Sequence, residues 1–240
     1  MTITIGNTSN NAGEQNKLTT TISHTPSSGS NSILLALIAI CHDKDDPVPG
    51  ASMGVSSITF NTTEVFTKLR ADPGSSGGTE PDSEIWYLVN PTATTANVVL
   101  TYVQTQFTVD VSCIDFLGVD QASPFEANAG KNQTGGTSMS NTITTLSANA
   151  YIISVIASKV NDAIAKDASQ TTIFANNQSN VGAGANLASH STYELKATAG
   201  SDTQSFTSIG DDDAALSICV LKPQADTTAF PNQMCMMGVT

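Results

Sequence analysis

The side chains best suited to chemistry in this sequence are its three histidines and its clustered acids. His24, His42 and His190 lie in segments typical of loops or sheet edges, and none falls in a nucleophile motif such as GxSxG. A hydrolase needs a serine or cysteine beside a positioned base, and this pattern instead favours solvated histidines. The sequence therefore predicts no catalytic residue, and we expect a protein that is not an enzyme.

Two acidic runs are candidates for a calcium site. One comprises His42, Asp43, Asp45 and Asp46, and the other comprises residues 211–213. Calcium takes about six to eight oxygen ligands from such loops, but neither run has the D-x-[DN]-x-[DN]-G spacing. Both runs are predicted to be solvated acidic loops, and no metal or other cofactor is expected.

Aromatic residues, which line sugar-binding clefts, make up only 5% of the chain. Trp86 and Tyr87 are neighbours and must point to opposite faces of a strand, so at most one of them can form a surface platform. Burial preferences place Trp86 in the core. A carbohydrate-binding or adhesive module, with a glycan as partner, stays open as an alternative because long loops at one end of a β-sandwich could supply the site.

Charge and cysteine content limit the other classes. The formal net charge of −12 disfavours binding to nucleic acid or to an anionic membrane, because both would repel an acidic surface. Cys41, Cys113, Cys219 and Cys235 lie far apart without a CxxC pair, which predicts reduced thiols. The sequence shows neither a secretory signal nor a run of about 20 apolar residues. We therefore expect synthesis in a host cytoplasm and a soluble product.

The elements that would position these residues are strands. Short Thr-, Val- and Ile-rich runs between turn residues predict an all-β, antiparallel, jelly-roll-like β-sandwich that forms a single domain over residues 1–223. Residues 83–120 are predicted to form a meander. Its strands are predicted at residues 83–89, 97–103 and 107–117. In the last of these, Thr108, Asp110 and Ser112 alternate with apolar residues, which predicts a sheet that is wet on one face.

The rest of the chain is predicted as further short strands and connecting segments. Residues 32–41, SILLALIAIC, indicate a strand buried on both faces. Residues 6–16 resemble a loop between two edge strands, residues 121–140 an irregular segment, and residues 159–169 a short helix. The other strands are predicted at residues 2–5, 17–23, 57–60, 64–69, 141–146, 151–158, 171–175, 191–197, 203–209 and 214–221.

The second half of the chain reads as a weak copy of the first. The paired segments are SILLALIAIC with AYIISVIAS, SITFN with TIFAN, SEIWYLV with STYELKA, NVVLTYV with TQSFTSI, and VSCIDFL with LSICVL. Two similar five-strand units in series suit two sheets packed face to face, with each half contributing to both sheets. Chance similarity between two β-rich segments of like composition is the alternative.

A family resemblance rests on two motifs, one in the strand that contains the only tryptophan and one near residue 120. The matching residues are Glu84, Trp86, Tyr87, Leu88, Asn90, Pro91, Phe116, Gly118, Val119, Asp120 and Pro124. With them the chain, over residues 17–223, resembles a β-sandwich module that recurs in phage virion proteins and bacterial surface proteins. The resemblance implies a jelly-roll-like sandwich and transfers no catalytic residue. The usual glycine in the loop after Pro91 is missing.

The last stretch, residues 224–240, is apolar where a disordered tail would be polar. Its candidate assembly contacts are Phe230, Met234, Met236, Met237 and Val239. Such an extension is expected to dock as an arm on a neighbouring subunit or to fold back on its own sandwich. The leading hypothesis is a non-enzymatic virion structural protein, a capsid decoration or tail-associated component, that forms homo-oligomers and binds other virion proteins.

Overall fold

A computed structural model describes residues 2–41, 54–74, 81–159, 163–178, 186–210 and 213–225, with the side chains of residues 104–107 and 178 outside that description. These residues form fifteen β-strands and no helix, which confirms the all-β prediction. The strands are β1 (Thr4–His24), β2 (Ile33–Cys41), β3 (Val55–Phe60), β4 (Glu64–Val65), β5 (Thr67–Asp72), β6 (Pro81–Val89), β7 (Ala96–Leu117), β8 (Phe125–Gln133), β9 (Ser138–Thr145), β10 (Ala150–Ser158), β11 (Ala165–Lys166), β12 (Thr171–Gln178), β13 (Leu187–Lys196), β14 (Gly200–Thr207) and β15 (Ala214–Leu221).

Two predicted non-strand segments are strands in the structure. The predicted helix at residues 159–169 is wrong, because Ala165–Lys166 form strand β11 and a turn follows at residues 168–169. The predicted irregular segment at residues 121–140 contains β8, which pairs along its length with β15. Alanine, asparagine and glycine are poor strand formers, so the pairing partner decides the conformation of β8 where propensity does not.

Strands β1 and β7 are the longest elements, and they pair with each other from end to end. The predicted loop at residues 6–16 and the predicted break between residues 103 and 107 are therefore wrong. Both strands bend together, because Ser9 and His24, near opposite ends of β1, touch each other. Register shifts and the positive φ angles of Gly13 (66°) and Asn16 (52°) accommodate the extra residues at the bend.

This bend folds the seven-stranded sheet of the first half into two layers. The outer layer contains β4, β3 and one arm of β7 with one arm of β1, and the inner layer contains the other arms with β2, β6 and β5. The predicted meander is wrong, because β2 separates β6 from β7. The predicted antiparallel sandwich is confirmed, and the first half forms a complete sandwich by itself.

The second half repeats this arrangement with separate strands. Its inner sheet has the order β12-β13-β10-β15-β8, and its outer sheet has the order β11-β14-β9. Each strand has a counterpart in the same place in the first half: β2 with β10, β6 with β13, β5 with β12, and the two arms of β7 with β14 and β15. Each half is thus a sandwich of its own, and the prediction that each half contributes to both sheets is wrong.

Three large apolar cores, with a small fourth cluster of Ala39, Cys41, Ala157 and Leu187, hold the resulting stack of layers together. One core lies inside each half, and a central core lies between the two inner sheets, where Leu35 and Leu37 meet Ile153 and Val155. Strand β2 shows why: its even-numbered residues enter the core of the first half, and Ile33, Leu35 and Leu37 enter the central core. Its burial on both faces is confirmed.

The central core also corrects the prediction of a wet sheet face. Thr108, Asp110 and Ser112 are all buried, because their face of β7 packs against the second half. Polar residues on a buried face need hydrogen-bonding partners. The partners of Asp110 and Ser112 join the two halves.

Candidate functional site

The first cluster, named here the Asp110 clasp, lies between the two inner sheets. The Asp110 carboxylate accepts hydrogen bonds from the Gly13 backbone N–H at 2.8 Å, the Asn176 side-chain amide at 2.8 Å and the Ser189 hydroxyl at 2.7 Å. Burial raises the pKa of Asp110 above its ordinary value, and these three hydrogen bonds oppose that rise. The clasp joins β1 and β7 of the first half to β12 and β13 of the second.

A second cluster, the Asp72 clasp, joins the same two sheets elsewhere. The Arg70 guanidinium binds Asp72 with two bonds of 2.5 and 2.6 Å and also donates to Asn128 Oδ1 at 3.1 Å. Asp72 also accepts the Ser217 hydroxyl at 2.5 Å. A Cβ at Gly130 of β8 would lie 2.0 Å from the Asp72 carboxylate, so any other residue there would displace that carboxylate from Arg70 and Ser217.

The two clasps are related by an approximate two-fold axis between the halves. Ser83 on β6 bonds Ser217 on β15 at 2.9 Å, and Ser191 on β13 bonds Ser112 on β7 at 2.8 Å, so corresponding strands exchange roles. Strand β5 contacts β15 through Asp72 just as β12 contacts β7 through Asn176. Each clasp therefore holds one carboxylate, carried by the edge strand in one and by the central strand in the other.

The space beside the Asp110 clasp does not suit a ligand. Leu37, Val155 and Phe174 line it together with Asp110 and serines of both halves, and it has no room for a water molecule. The hydrogen-bonding capacity of Asp110 is already directed at three protein donors. The geometry of the Asp110 clasp therefore supports a role in linking the two inner sheets.

A third cluster brings together serine, histidine and aspartate, an arrangement the sequence pattern did not predict. Ser9 Oγ lies 2.9 Å from His24 Nδ1, and His24 Nε2 lies 3.3 Å from Asp115 Oδ1. The contacts have the connectivity of a hydrolytic triad. His24, however, is only 2% exposed, so its ring is closed to a substrate. The cluster ties those arms to β7.

Asp115 is the centre of this third cluster. Burial alone would raise its pKa, but hydrogen bonds from His24 and from the backbone N–H groups of Ser27 and Asn7 outweigh burial and leave the pKa below its ordinary value. A Cβ at Gly6 would lie 1.9 Å from the carboxylate, so any larger residue there would displace Asp115 from its donors. The Asp115 carboxylate therefore stabilises the bend of β1 against β7.

The predicted solvation of the histidines is wrong for His24 and His190, which are both buried. His190 Nδ1 lies 2.9 Å from the Ile164 carbonyl and Nε2 lies 2.9 Å from Thr172 Oγ1. Burial lowers the pKa of His190, which favours the neutral ring. His42 lies outside the described residues.

The core of the first half also contains an acid. Glu84 accepts hydrogen bonds from Trp86 Nε1 at 2.5 Å and from the Val55 backbone N–H at 3.1 Å, and Lys68 Nζ lies 3.3 Å from its carboxylate. Burial raises the pKa of Glu84. Trp86 is 5% exposed, which confirms its predicted place in the core, and Lys68 Nζ covers its ring at 4.8 Å from the centroid.

The second half has its own polar cluster near the start of β14. Lys196 forms ion pairs with Asp202 and Glu194, and Gln204 donates to Glu194 at 2.9 Å and to Asp202 at 3.2 Å. Gln204 also accepts from Ser154 of β10 at 3.1 Å. This network joins the outer sheet to the inner sheet of the second half.

One signal in the sequence could have located three of the buried acids. Gly6, Gly54 and Gly130 each lie against a carboxylate, of Asp115, Glu84 and Asp72 respectively. Gly6 and Gly130 are inside strands, where glycine often marks a close approach of other atoms. The acids themselves gave no signal in the sequence, because the position of an acid along a strand does not show whether its face of the sheet is buried.

The two remaining groups of predicted site residues lie mainly outside the described residues. They include the assembly candidates Phe230, Met234, Met236, Met237 and Val239, with Cys235, and from the two acidic runs His42, Asp43, Asp45, Asp46, Asp211 and Asp212. Among the described residues, no three His, Cys, Asp or Glu side chains are placed to hold a metal ion. Cys113 and Cys219 are buried free thiols, as predicted, and burial raises the pKa of Cys113 to about 12.

The start of the C-terminal stretch is nevertheless fixed. Pro223 pairs with Val119, the Gln224 N–H donates to the Gly118 carbonyl at 2.8 Å, and Lys222 Nζ lies 2.7 Å from Asp120 Oδ2. The Lys222 ammonium lowers the pKa of Asp120. The C-terminal stretch therefore begins beside the connection between the two halves.

Comparisons with known proteins give no relative. No protein-family model, no curated protein and no solved structure matches this chain. In the part of the chain that the structure describes, no helix is long and apolar enough to cross a membrane.

Proposed function

We propose that this chain is a non-enzymatic structural protein of a virion, a capsid decoration or tail-associated component that forms homo-oligomers and binds other proteins of the particle. The observation that carries the proposal is the use of its polar chemistry. The carboxylates of Asp72, Glu84, Asp110 and Asp115 are each directed at donors on other strands, so they fasten layers together. Such use suits a protein that serves as a rigid part.

The build of the molecule supports the same role. Two sandwiches share a central core, and both β1 and β7 pass through two layers of the first half. Inner sheets buried on both faces resist local opening, because each strand has neighbours in the plane and on either side. The resemblance of residues 17–223 to virion modules adds the setting: synthesis in the host cytoplasm, then incorporation into the particle.

The C-terminal stretch is the proposed attachment arm. Phe230, Met234, Met236, Met237 and Val239 would bury apolar area on a neighbouring subunit, at about 1.5 to 3 kcal/mol for each fully buried side chain before the ordering entropy of the arm is subtracted. Terminal arms add contact area to a symmetric assembly without changing the sandwich. The fixed segment from Lys222 to Gln224 gives the arm a defined starting point.

Deletion of residues 226–240 tests this proposal. We expect an unchanged β-type circular dichroism spectrum and unchanged thermal unfolding, but a smaller mass by light scattering or loss of attachment to the particle. The control replaces the same residues by a Gly/Ser segment of equal length and should behave like the deletion. Lower thermal stability at constant mass would instead show an arm that folds back. Saturable binding of the monomer on a glycan array would favour an adhesive module.

A further inference from the structure

Strand β12 forms an open edge of the second inner sheet. Strand β13 pairs with one side of it, and no described strand pairs with the other. Thr171, Thr172 and Ala175 are exposed, so the described residues leave this edge accessible. The outward N–H and C=O groups of an edge strand are a template for pairing with another chain.

The other sheet edges are protected. Strands β4 and β11 have two residues each. The side of β1 is closed by bonds from Asn7 to the Thr25 carbonyl and from Asn11 to the Thr21 carbonyl. The edge strand β9, SMSNTITT, is also uncharged, but it lies beside β8, and Lys131 of β8 donates to its Ser140 carbonyl. Short length, covering groups and charge are the usual protections of a sheet edge.

The edge strand β5 is the counterpart of β12 in the first half, and the two strands can be compared directly. Both strands contain one bulge, between Lys68 and Arg70 in β5 and between Thr172 and Phe174 in β12. In both, the residue at the bulge, Leu69 or Ile173, packs against the central core. The strands therefore share one geometry.

Their sequences differ in charge. Strand β5, TKLRAD, carries Lys68, Arg70 and Asp72, whereas the eight residues of β12, TTIFANNQ, carry no charged residue and no proline. The same position in the fold carries charged side chains in the first half, where they also make the contacts described above, and carries none in the second half. An uncharged and exposed edge of this kind is open to pairing with another chain.

We propose that β12 pairs antiparallel with β12 of a second copy of this chain across a two-fold axis, which joins two inner sheets into one continuous sheet. Two chains that each carry a net charge of −12 repel, and a contact surface without charge adds nothing to that repulsion. Antiparallel self-pairing of β12 across a two-fold axis satisfies the outward backbone N–H and C=O groups of both copies and places no like charges opposite each other.

A partner with a different sequence fits this edge less well. A partner attracted to this acidic chain would present basic side chains, and β12 offers no acid to receive them. The inference rests on the proposed function only in the expectation that the protein forms homo-oligomers, and it names the surface where two copies meet. The contact is separate from the C-terminal arm.

Sedimentation equilibrium of the full chain tests the inference with a matched pair of variants. Ala175 on β12 and Ala71 on β5 are both exposed alanines, placed two residues beyond the bulged residue of their strands. Ala175→Lys puts two like charges across the proposed axis and should raise the dimer dissociation constant at least tenfold. Ala71→Lys should leave it within twofold of the parent value.

Hydrogen exchange supplies a second measurement that does not depend on how a variant folds. In the unaltered protein, amides of β12 should exchange more slowly at high than at low protein concentration, and those of β5 should not change. A parent protein that stays monomeric, an Ala175→Lys variant that dimerises normally, or equal weakening by both variants would overturn the inference. If deletion of residues 226–240 abolishes association while Ala175→Lys does not, the result supports association through the C-terminal arm and contradicts association through β12.

Discussion

The pKa values of the buried carboxyl groups are shifted in two directions, and the hydrogen-bond donors around each group explain the difference. Asp110 and Glu84 have raised pKa values because burial outweighs their hydrogen bonds. Asp115 has a lowered pKa because the bonds from His24 and from backbone N–H groups outweigh its burial. Where fixed donors outweigh burial the charged form of the carboxyl group is favoured, and where burial outweighs the donors the neutral form is favoured.

These directions give opposite dependences of stability on pH. A carboxyl group with a raised folded pKa binds more protons when folded, so stability falls as pH rises from the unfolded to the folded pKa. Asp110 and Glu84 belong to this group. Asp115 contributes stability that is present above its unfolded pKa and is lost as pH falls through its lowered folded pKa.

The pairing of Asn176 with Asp110 gives the first prediction at this scale. Asn176→Asp replaces a donor 2.8 Å from the Asp110 carboxylate by a second carboxylate. We expect the free energy of unfolding at neutral pH to fall by about 2 to 3 kcal/mol, because a hydrogen bond is lost and two like charges face each other. The loss should shrink as pH falls, because one shared proton restores a bond between the two groups.

Urea unfolding at a series of pH values between neutral and acid measures this loss. The matched control is Asn10→Asp, which adds the same charge at an exposed position of β1. Its effect on stability should be small at every pH. An Asn176→Asp variant whose loss did not depend on pH would show that Asp110 is not its charged partner in the folded protein.

The strands differ in how well the sequence predicted them, and burial explains which succeeded. The apolar runs that became β2, β10 and β15 were predicted nearly to the residue, because a strand buried on both faces is a continuous apolar run. The first part of β1 was mistaken for a loop. It is an exposed edge rich in Asn and Gly, held in place by β7, which the local pattern cannot show.

The polar face of β7 was misplaced for a related reason. Alternation of Asp110 and Ser112 with valines correctly predicted two faces, but a polar face is read as solvated unless its partner is known. Here Asn176, Ser189 and Ser191 of the second half supply the partner. Contacts between residues so far apart in sequence leave no local signal.

The two faces of β2 allow an experiment on the layers. Leu35 faces the central core and Ile38 faces the core of the first half, and both are fully buried. Leu35→Ala and Ile38→Ala should each lower the free energy of unfolding by about 2 to 5 kcal/mol, as for large-to-small changes in a packed core. Hydrogen exchange should then separate them.

In the Leu35→Ala variant, amides of β10 in the other half should exchange faster. In the Ile38→Ala variant, the faster exchange should concentrate in β3 and in the arm of β7 that faces it. The control is Leu146→Ala, because Leu146 is 72% exposed and its loss should change stability little. Identical exchange patterns in both core variants would argue against distinct cores on the two faces of β2.

At the scale of the whole molecule, the fold is a pair of similar sandwiches that meet as a symmetric dimer would. The duplication predicted from the sequence is confirmed by the strand orders, with β2, β6 and both arms of β7 matched as predicted. One match is wrong: the segment TIFAN lies in β12, the counterpart of β5, and not of β3. A short threonine-rich segment fits many strands, so sequence alone could not place it.

The two-fold relation has a thermodynamic consequence. Each inner sheet has one face in its own half and one face in the central core, so either half alone would expose an apolar surface. In the first half this surface includes Ile33, Leu35 and Leu37, and in the second half it includes Ile153 and Val155. Exposed apolar patches of this kind mark association surfaces.

The last prediction follows from that surface. If the chain is cut after Gln121, within the connection between the halves, the two fragments should still associate one to one when produced together. The central core and the Asp72 and Asp110 clasps lie between the fragments and do not need the connection. The complex should elute as a single species, with a circular dichroism spectrum like that of the intact chain.

The first fragment alone should self-associate, because its exposed face can meet its own copy in the same two-fold arrangement. Leu35→Lys in the first fragment should prevent both associations, since it places a charge in the central core, whereas Leu146→Lys in the second fragment should not. Two fragments that each remain folded and monomeric, without binding each other, would show that the central core does not hold the halves together.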